Sequence, residues 1–375
     1  MKTTVKLSEF TSALELVNNS IPSRPTNPSL SCCRLENNGG IVSLTGFDLQ
    51  TLTTVKIKDY TEHESSTSGT ILFPPKPVLE LCRRLENIEF LSLVEEDNKL
   101  LINENYRVLL MPSEFYPELP NLDEYKTLDL PVNILKNKLS FVSIATSNNE
   151  SKMVLTGVNF KIIENQLKLA ASDGYRLAVT SMSLGEDNSS EYEQIDAIVP
   201  GKTIRNLIKI MSKQEDKTVK AKVNYSHIQF EFNDITIISR LIDGMYPDCQ
   251  KIIPQVFTKK LTVSQKHLSQ ALERLLIFSD KMNQAKFIMS PEQVLLETKE
   301  SQLGEAKEYL PCTFEGDPLE ITFNIEYMLP GLKEMPTNSP MDLVQIQFNS
   351  ADSVALISLP ENDKYLYLVM PIYKI

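Results

Sequence analysis

The side chains able to do chemistry are few and scattered along these 375 residues. Three histidines, His63, His227 and His267, fall one in each third of the chain. Five cysteines, Cys32, Cys33, Cys82, Cys249 and Cys312, form no C-x-x-C pair and keep no metal-ligand spacing with histidine. Their odd number and apolar neighbours point to reduced, structural thiols. There is no H-E-x-x-H, no P-loop, no G-x-G-x-x-G after a strand and no G-x-S-x-G. Asp48 and Asp173 each follow an apolar run and have the chemistry of a ligand or an acid. The pattern favours turn residues that bond their own backbone. The expectation is a chain with no catalytic residues, no metal and no cofactor, in which binding or scaffolding outweighs catalysis.

The other available chemistry is charge. A formal net charge of −11 speaks against nucleic acid unless the positive residues are concentrated somewhere. Segment 199–213 carries Lys202, Arg205, Lys209 and Lys213 with no acid, and segment 132–142 carries Lys136 and Lys138 with none. Segments 73–86 and 263–278 are slightly positive, whereas 8–17 and 323–334 are negative. If these six segments share a surface, that surface is positive and the rest of the chain strongly acidic. Exposed helix faces are often lysine-rich without a nucleic acid partner, so charge alone leaves both readings open.

All six segments have the periodicity of helices that bury one side. Val78, Cys82 and Leu85 form one stripe after Phe73-Pro-Pro-Lys. Ile204, Leu207, Ile208 and Met211 form another after Val199-Pro-Gly-Lys, and Ile325, Met328, Leu329 and Leu332 a third. A second series is Phe10, Ala13, Leu14 and Val17; Leu135, Leu139 and Val142; Leu268, Ala271, Leu272 and Leu275. Both series repeat at about 125 residues, the size of a domain. Between the helices lie alternating runs such as 40–46, 165–170 and 293–298, which read as antiparallel hairpins. Asn38-Gly39 is a hairpin-turn signal. The expected fold is α+β: three tandem copies of a domain with two helices on antiparallel sheet. Boundaries fall after Pro112–Pro120 and Pro247–Pro254, giving domains 1–125, 126–255 and 256–375. Ser65–Ser68 and Asn188–Ser190 read as solvated loop tips. The first ten residues lack a signal-peptide core, and the apolar stretch Tyr365–Tyr373 is too short for a membrane span, so a cytoplasmic protein is expected.

The loop Ala171-Ser172-Asp173-Gly174-Tyr175-Arg176-Leu177-Ala178 resembles the signature loop of the bacterial DNA polymerase III β subunit family, the replicative sliding clamps. So, in the same order, do 23–28 (Ser-Arg-Pro-Thr-Asn-Pro), 43–49, 241–248 and 367–372. The resemblance spans the whole chain. It implies a head-to-tail homodimer closed into a ring of the DNA clamp fold, with helices lining the hole and strands of neighbouring domains joined outside. Duplex DNA would be encircled without sequence readout. Partners would be the polymerase catalytic subunit, the clamp loader and repair proteins carrying short clamp-binding motifs.

By the same resemblance a peptide site takes Leu155, Ser172, Gly174, Tyr175, Arg176 and Leu177 from the second domain. Pro247, Lys251, Ile252, Leu368, Val369, Met370, Pro371 and Ile372 come from the third domain and its tail, read as an exposed edge at the chain end. Tyr175 stands where the family often has histidine, and Lys251 where arginine is common. Arg24, Asn149 and Lys152 are carried over as DNA contacts, and Lys202 and Arg205 are added from the charge pattern. The resemblance also implies an interface in which Tyr106 meets Ile277 and Phe278, while Glu305 and Glu308 face basic residues such as Lys76 and Arg83. Two other readings stay in view: a peptide-binding scaffold without DNA, and a cytosolic enzyme with an unrecognised site.

Overall fold

The computed structural model describes all residues except 62–66, 124, 185–194, 214, 338–341, 361 and 373–375. His63, Ser65, Ser66, the Asn188–Ser190 segment and the last three residues therefore lie outside the described residues.

The chain runs through β1 (Lys2–Lys6), α1 (Leu7–Asn18), β2 (Cys33–Asn37), β3 (Ile41–Phe47), β4 (Thr51–Lys58), β5 (Gly69–Phe73), α2 (Pro75–Cys82), β6 (Phe90–Glu96), β7 (Lys99–Ile102) and β8 (Tyr106–Leu109). It repeats that order as β9 (Lys126–Pro131), α3 (Val132–Ser143), β10 (Gly157–Ile163), β11 (Gln166–Ser172), β12 (Arg176–Ser183), β13 (Asp196–Pro200), α4 (Gly201–Met211), β14 (Thr218–Val223), β15 (His227–Glu231) and β16 (Ile235–Arg240). It does so again as β17 (Lys259–Ser264), α5 (Gln265–Phe278), β18 (Gln284–Ser290), β19 (Gln293–Thr298), β20 (Lys307–Glu315), β21 (Leu319–Asn324), α6 (Ile325–Glu334), β22 (Leu343–Phe348), β23 (Ala355–Leu359) and β24 (Asn362–Val369). The threefold α+β repeat read from the periodicity is therefore present element by element.

The helix stripes are buried as their spacing predicts. Phe10, Leu14, Leu135, Leu139, Leu268 and Leu272 are all fully buried. Side chains cap two of the starts: Ser264 accepts from His267 N–H at α5, and Asn324 from Glu326 and Tyr327 N–H at α6. One expected helix is shorter than its pattern. α2 ends at Cys82, and Leu85, expected on its face, lies half-buried beyond it. The hairpin between β2 and β3 also differs by one residue. Asn38 N–H donates to the Ile41 carbonyl, and the left-handed pair is Gly39 (φ 74°) and Gly40 (φ 105°), not Asn38-Gly39.

The strands close into two compact units. The first, residues 1–132 and 209–241, holds a four-stranded sheet β1-β6-β7-β8 and an eight-stranded sheet β5-β2-β3-β4-β16-β15-β14-β9. The second, residues 133–208 and 242–375, holds a twelve-stranded sheet β13-β10-β11-β12-β24-β23-β22-β17-β20-β19-β18-β21. Each large sheet is fused from neighbouring copies of the repeat by one antiparallel seam. β4 pairs with β16, Thr51 opposite Ser239, and β12 pairs with β24, Arg176 opposite Val369.

Candidate functional site

The loop from Ser172 to Arg176 is a turn locked by its own polar side chains. Asp173 Oδ1 accepts from the N–H groups of Tyr175 (2.9 Å) and Arg176 (3.0 Å), and Oδ2 accepts from Arg176 Nε (2.9 Å). Ser172 Oγ donates to the Arg176 carbonyl, and Gly174, at φ +95°, donates its N–H to the same Oγ. Asp173 is thus a turn residue, and so is Asp48, whose Oδ1 accepts from Gln50 and Thr51 N–H. The loop lies at the end of the β12–β24 seam, where Met370 N–H donates to the Tyr175 carbonyl at 2.8 Å.

Around this loop the second unit gathers the other residues expected there. Leu177, Leu356 and Leu368 form one buried cluster, joined by the half-buried Cys249, Ile253 and Phe257. The loop at Gly244 runs against the turn carrying Leu155: a β-carbon on Gly244 would lie 2.8 Å from Val154 Cγ1. Asp248 caps the turn Cys249–Lys251 by accepting from Gln250 N–H, and its carboxylate lies 3.5 Å from Lys251 Nζ. Burial pushes the Cys249 thiol up to about 11, so it is no nucleophile at neutral pH. Gly174, Tyr175, Pro247, Lys251 and Ile252 are exposed, while Leu155, Ser172, Arg176, Met370 and Ile372 are half-buried.

The chain end corrects one expectation. β24 is not an open edge: it lies between β12 and β23, and Leu368, Val369 and Pro371 are buried. The tail continues beside β21, with Ile372 N–H donating to the Thr322 carbonyl. These residues therefore supply floor and support, while Met370 and Ile372 remain partly accessible.

The sequence reading missed Tyr327. It enters from the first turn of α6 and stacks on Tyr175, with centroids 5.6 Å apart and planes at 17°. The Arg176 guanidinium sits 5.1 Å from the Tyr327 centroid and donates to the Glu326 carbonyl. The Tyr367 hydroxyl donates to the Tyr327 carbonyl at 2.7 Å, and burial pushes its pKa up to about 12 against the opposing pull of Arg176.

Arg24, Asn149 and Lys152, carried over for DNA, and Lys202 and Arg205, added from the charge pattern, are all exposed. Asn149 spends its side-chain oxygen on Ser151 N–H, and Arg205 Nη1 lies 3.5 Å from Thr146 Oγ1. Lys152 Nζ reaches 3.7 Å from where a β-carbon on Gly174 would stand. Lys138 departs from the charge pattern. It is only 4% exposed, donates to Thr180 Oγ1 at 3.0 Å and lies 4.3 Å from the Tyr365 ring centroid. Burial, and then Lys364, hold its pKa down to about 8, and because Lys138 is buried the exposed face of α3 carries less positive charge than its composition implies.

Tyr106, Ile277 and Phe278 are exposed, at 42%, 65% and 38%. Of the charged residues expected beside them, Glu305, Glu308 and Arg83 are paired within the chain. Glu308 accepts both a 2.6 Å bond from Arg274 Nε and another from Nη2, Arg83 pairs with Glu15 at 2.8 Å, and Glu305 lies 3.8 Å from Lys307. Among the described residues no group of three or more His, Cys, Asp or Glu side chains is placed to hold a metal, and no helix is long and apolar enough to cross a membrane.

Three family profiles match in succession: the DNA polymerase III beta subunit N-terminal domain at residues 1–129, its central domain at 129–248 and its C-terminal domain at 250–373. The chain belongs to the DNA polymerase III beta subunit family. A beta sliding clamp of Synechococcus elongatus is 31% identical over 99% of both chains, and one of Vibrio cholerae is 26% identical over 99% of this chain and all of the other. Among solved structures, a Bartonella birtlesii sliding clamp bound to griselimycin is 27% identical with a TM-score of 0.89. A Pseudomonas aeruginosa clamp bound to the same compound is 25% identical with a TM-score of 0.91, and each comparison covers both chains completely. The loop Ser172–Arg176, the turn bearing Leu155 and the segment 244–252 bring apolar side chains and a few fixed polar groups together on the second unit.

Proposed function

We propose that two copies of this chain join head to tail into a closed ring around duplex DNA and recruit partner proteins by short peptides bound at Tyr175. Membership of the beta subunit family makes the chain a DNA sliding clamp, a non-catalytic processivity factor whose partners are DNA and a DNA polymerase. The clamp loader and repair proteins with clamp-binding motifs complete the proposed partner set, in a cytoplasmic setting. The proposed domains are 1–125, 126–255 and 256–375, each one pass of the ten-element order.

The observation that carries the ring is a pair of unlike open strand edges. β8 is the outer strand of the four-stranded sheet and exposes Tyr106 and Leu109. Among the described residues the first half of β20 pairs with β19 alone, since β17 meets it from Cys312 onward, and it exposes Tyr309. Unlike edges that meet between copies form a heterologous contact, which ends only when a ring closes. A ring holds DNA by topology, so exposed residues such as Arg24, Lys152, Lys202 and Arg205 need only weak, screened phosphate contacts, and a net charge of −11 is compatible with that.

The test is retention on DNA of different topology. The protein is loaded with its cognate loader onto nicked circular plasmid, isolated by gel filtration, and the plasmid is then linearised. Retention on circles with release on cutting is expected; equal binding to both forms would overturn encirclement. A Gln-x-x-Leu-Phe-type peptide should bind the isolated protein, and deletion from Leu368 onward should abolish this.

A further inference from the structure

One carboxylate ties the two helices of the first repeat together at the surface. Glu15 of α1 accepts from Arg83 Nη2 at 2.8 Å and from Nε at 3.3 Å, and its other oxygen lies 3.8 Å from Lys213 Nζ. The third repeat has the same pair: Lys333 Nζ lies 2.6 Å from a Glu273 oxygen. All four side chains of the two helix pairs reach solvent. Their positions correspond, because each of the four stands eight residues after the start of its own helix. The second repeat breaks the pattern. The same count gives Ser140 in α3 and Lys209 in α4, and neither of those helices contains an acid. An exposed ion pair adds little to stability. Its presence at one place in two repeats, and its loss in the repeat with the most basic helix, therefore points to a role in the surface charge.

We propose that Glu15 and Glu273 hold the helix cations of the first and third repeats off the DNA, so that only the helices of the second repeat grip phosphate and the ring stays free to slide. This rests on the ring reading above. A phosphate can take Arg83 or Lys333 only by displacing a carboxylate already in contact with it, and that carboxylate repels the phosphate. Glu15 also draws Lys213, the last cation of the basic segment 199–213. Lys202, Arg205 and Lys209 remain exposed on α4 with no acid on their own helix. Every cation that meets a phosphate releases counterions and steepens the salt dependence of binding, so the two acids limit how firmly the ring holds.

The experiment is single-molecule tracking of the loader-assembled ring on stretched duplex DNA across a salt series. Glu15→Gln combined with Glu273→Gln keeps the shape of both side chains and removes both charges. That variant should diffuse about three- to tenfold more slowly than the native ring at low salt and converge with it as salt rises. Arg83→Gln combined with Lys333→Gln should change native diffusion by less than about twofold, and should restore fast sliding when added to the acid variant. Arg205→Gln combined with Lys209→Gln should speed the native ring. A purely structural role for the acids would lower the melting temperature and leave diffusion unchanged, and that result would overturn the proposal while the ring stands. Markedly faster sliding on loss of Arg83 and Lys333 alone would overturn it too, since those cations would already be touching phosphate. That comparison decides the matter even where the acid variant fails to fold. Failure of the native protein to stay on circular DNA would overturn the ring reading, and this inference with it.

Discussion

The two seams that fuse the large sheets share a backbone but not a surface. At β4–β16 the turn is Asp48-Leu49-Gln50-Thr51, and at β12–β24 it is Asp173-Gly174-Tyr175-Arg176. Each aspartate accepts from the same two N–H groups and donates its own to the last residue of the turn. The residue after each seam closes it alike: Arg240 N–H bonds the Gln50 carbonyl and Met370 N–H the Tyr175 carbonyl, both at 2.8 Å. The seams differ in what lies on top. Leu30, Phe47, Leu52, Leu122 and Ile238 are all buried at the first, with Tyr116 against them. At the second, Leu177 and Leu368 are flanked by half-buried residues and an exposed aromatic stack. The repeat supplies a generic joint, and recognition arises where the side chains over it leave apolar surface uncovered.

The strongest way to break the comparison is to damage the second seam from beneath. A methyl on Gly331 of α6 would overlap the ring of Tyr367, which is fully buried in an interior strand and has nowhere to go. Gly331→Ala should therefore lower stability by about 3 kcal/mol in urea denaturation. A loss under about 1 kcal/mol would mean that the α6–β24 contact yields more easily than its packing implies.

The next effect is pH-dependent. Lys138 stands on α3 where α1 has Ala13, both buried against their seams. Its folded pKa of about 8 lies below that of an unfolded lysine, about 10.5. Between those values the unfolded chain binds more protons, so this residue makes stability rise with pH, by at most about 1.4 kcal/mol per unit. The native protein should gain stability relative to Lys138→Met from about pH 8 upward. Parallel stability curves for the two proteins would show that the amine is not desolvated.

Both seams form within one chain, whereas the proposed ring contact joins the edges β8 and β20 of different copies. Phe278→Ala removes an apolar group beside the proposed contact and should weaken the dimer about tenfold, read by sedimentation across a dilution series. An unchanged dimer at the lowest concentrations would remove Phe278 from the interface.

Legibility in the sequence follows the range of the interaction. Helix stripes, hairpins and the aspartate turns are local, and Asp48 and Asp173 were readable as turn residues from neighbours alone. The signature loop was readable as a contiguous motif. Tyr327 was not, because it meets Tyr175 from the other end of the unit and no spacing links them. Lys138 counted as surface charge because lysine usually is. Only the packing of Thr180 and Tyr365 over it reveals otherwise. The pairing of Arg83 with Glu15 is likewise set by α1 and α2 coming together. The apolar run Tyr367-Leu368-Val369 did carry a usable signal, since consecutive apolar residues mark a strand buried on both faces rather than an edge.

The smallest effect sharpens the comparison at a single position. Leu49 adopts φ 71° in the first turn, where the second has Gly174 at φ 95°. A leucine in left-handed backbone carries about 1–2 kcal/mol of strain, which glycine relieves at the expense of greater freedom in the unfolded chain. Leu49 is half exposed, so its removal sacrifices little packing. Leu49→Gly should thus stabilise by a few tenths to about 1 kcal/mol, whereas Gly174→Leu should destabilise by about 1 kcal/mol and push against Lys152. Opposite signs in thermal melts would establish that the turns are equivalent in backbone and that glycine at 174 relieves strain in a loop built to display its neighbours. If Leu49→Gly destabilised instead, the leucine side chain would be contributing contacts that offset its strain, and the first seam would be less generic than its hydrogen bonds suggest.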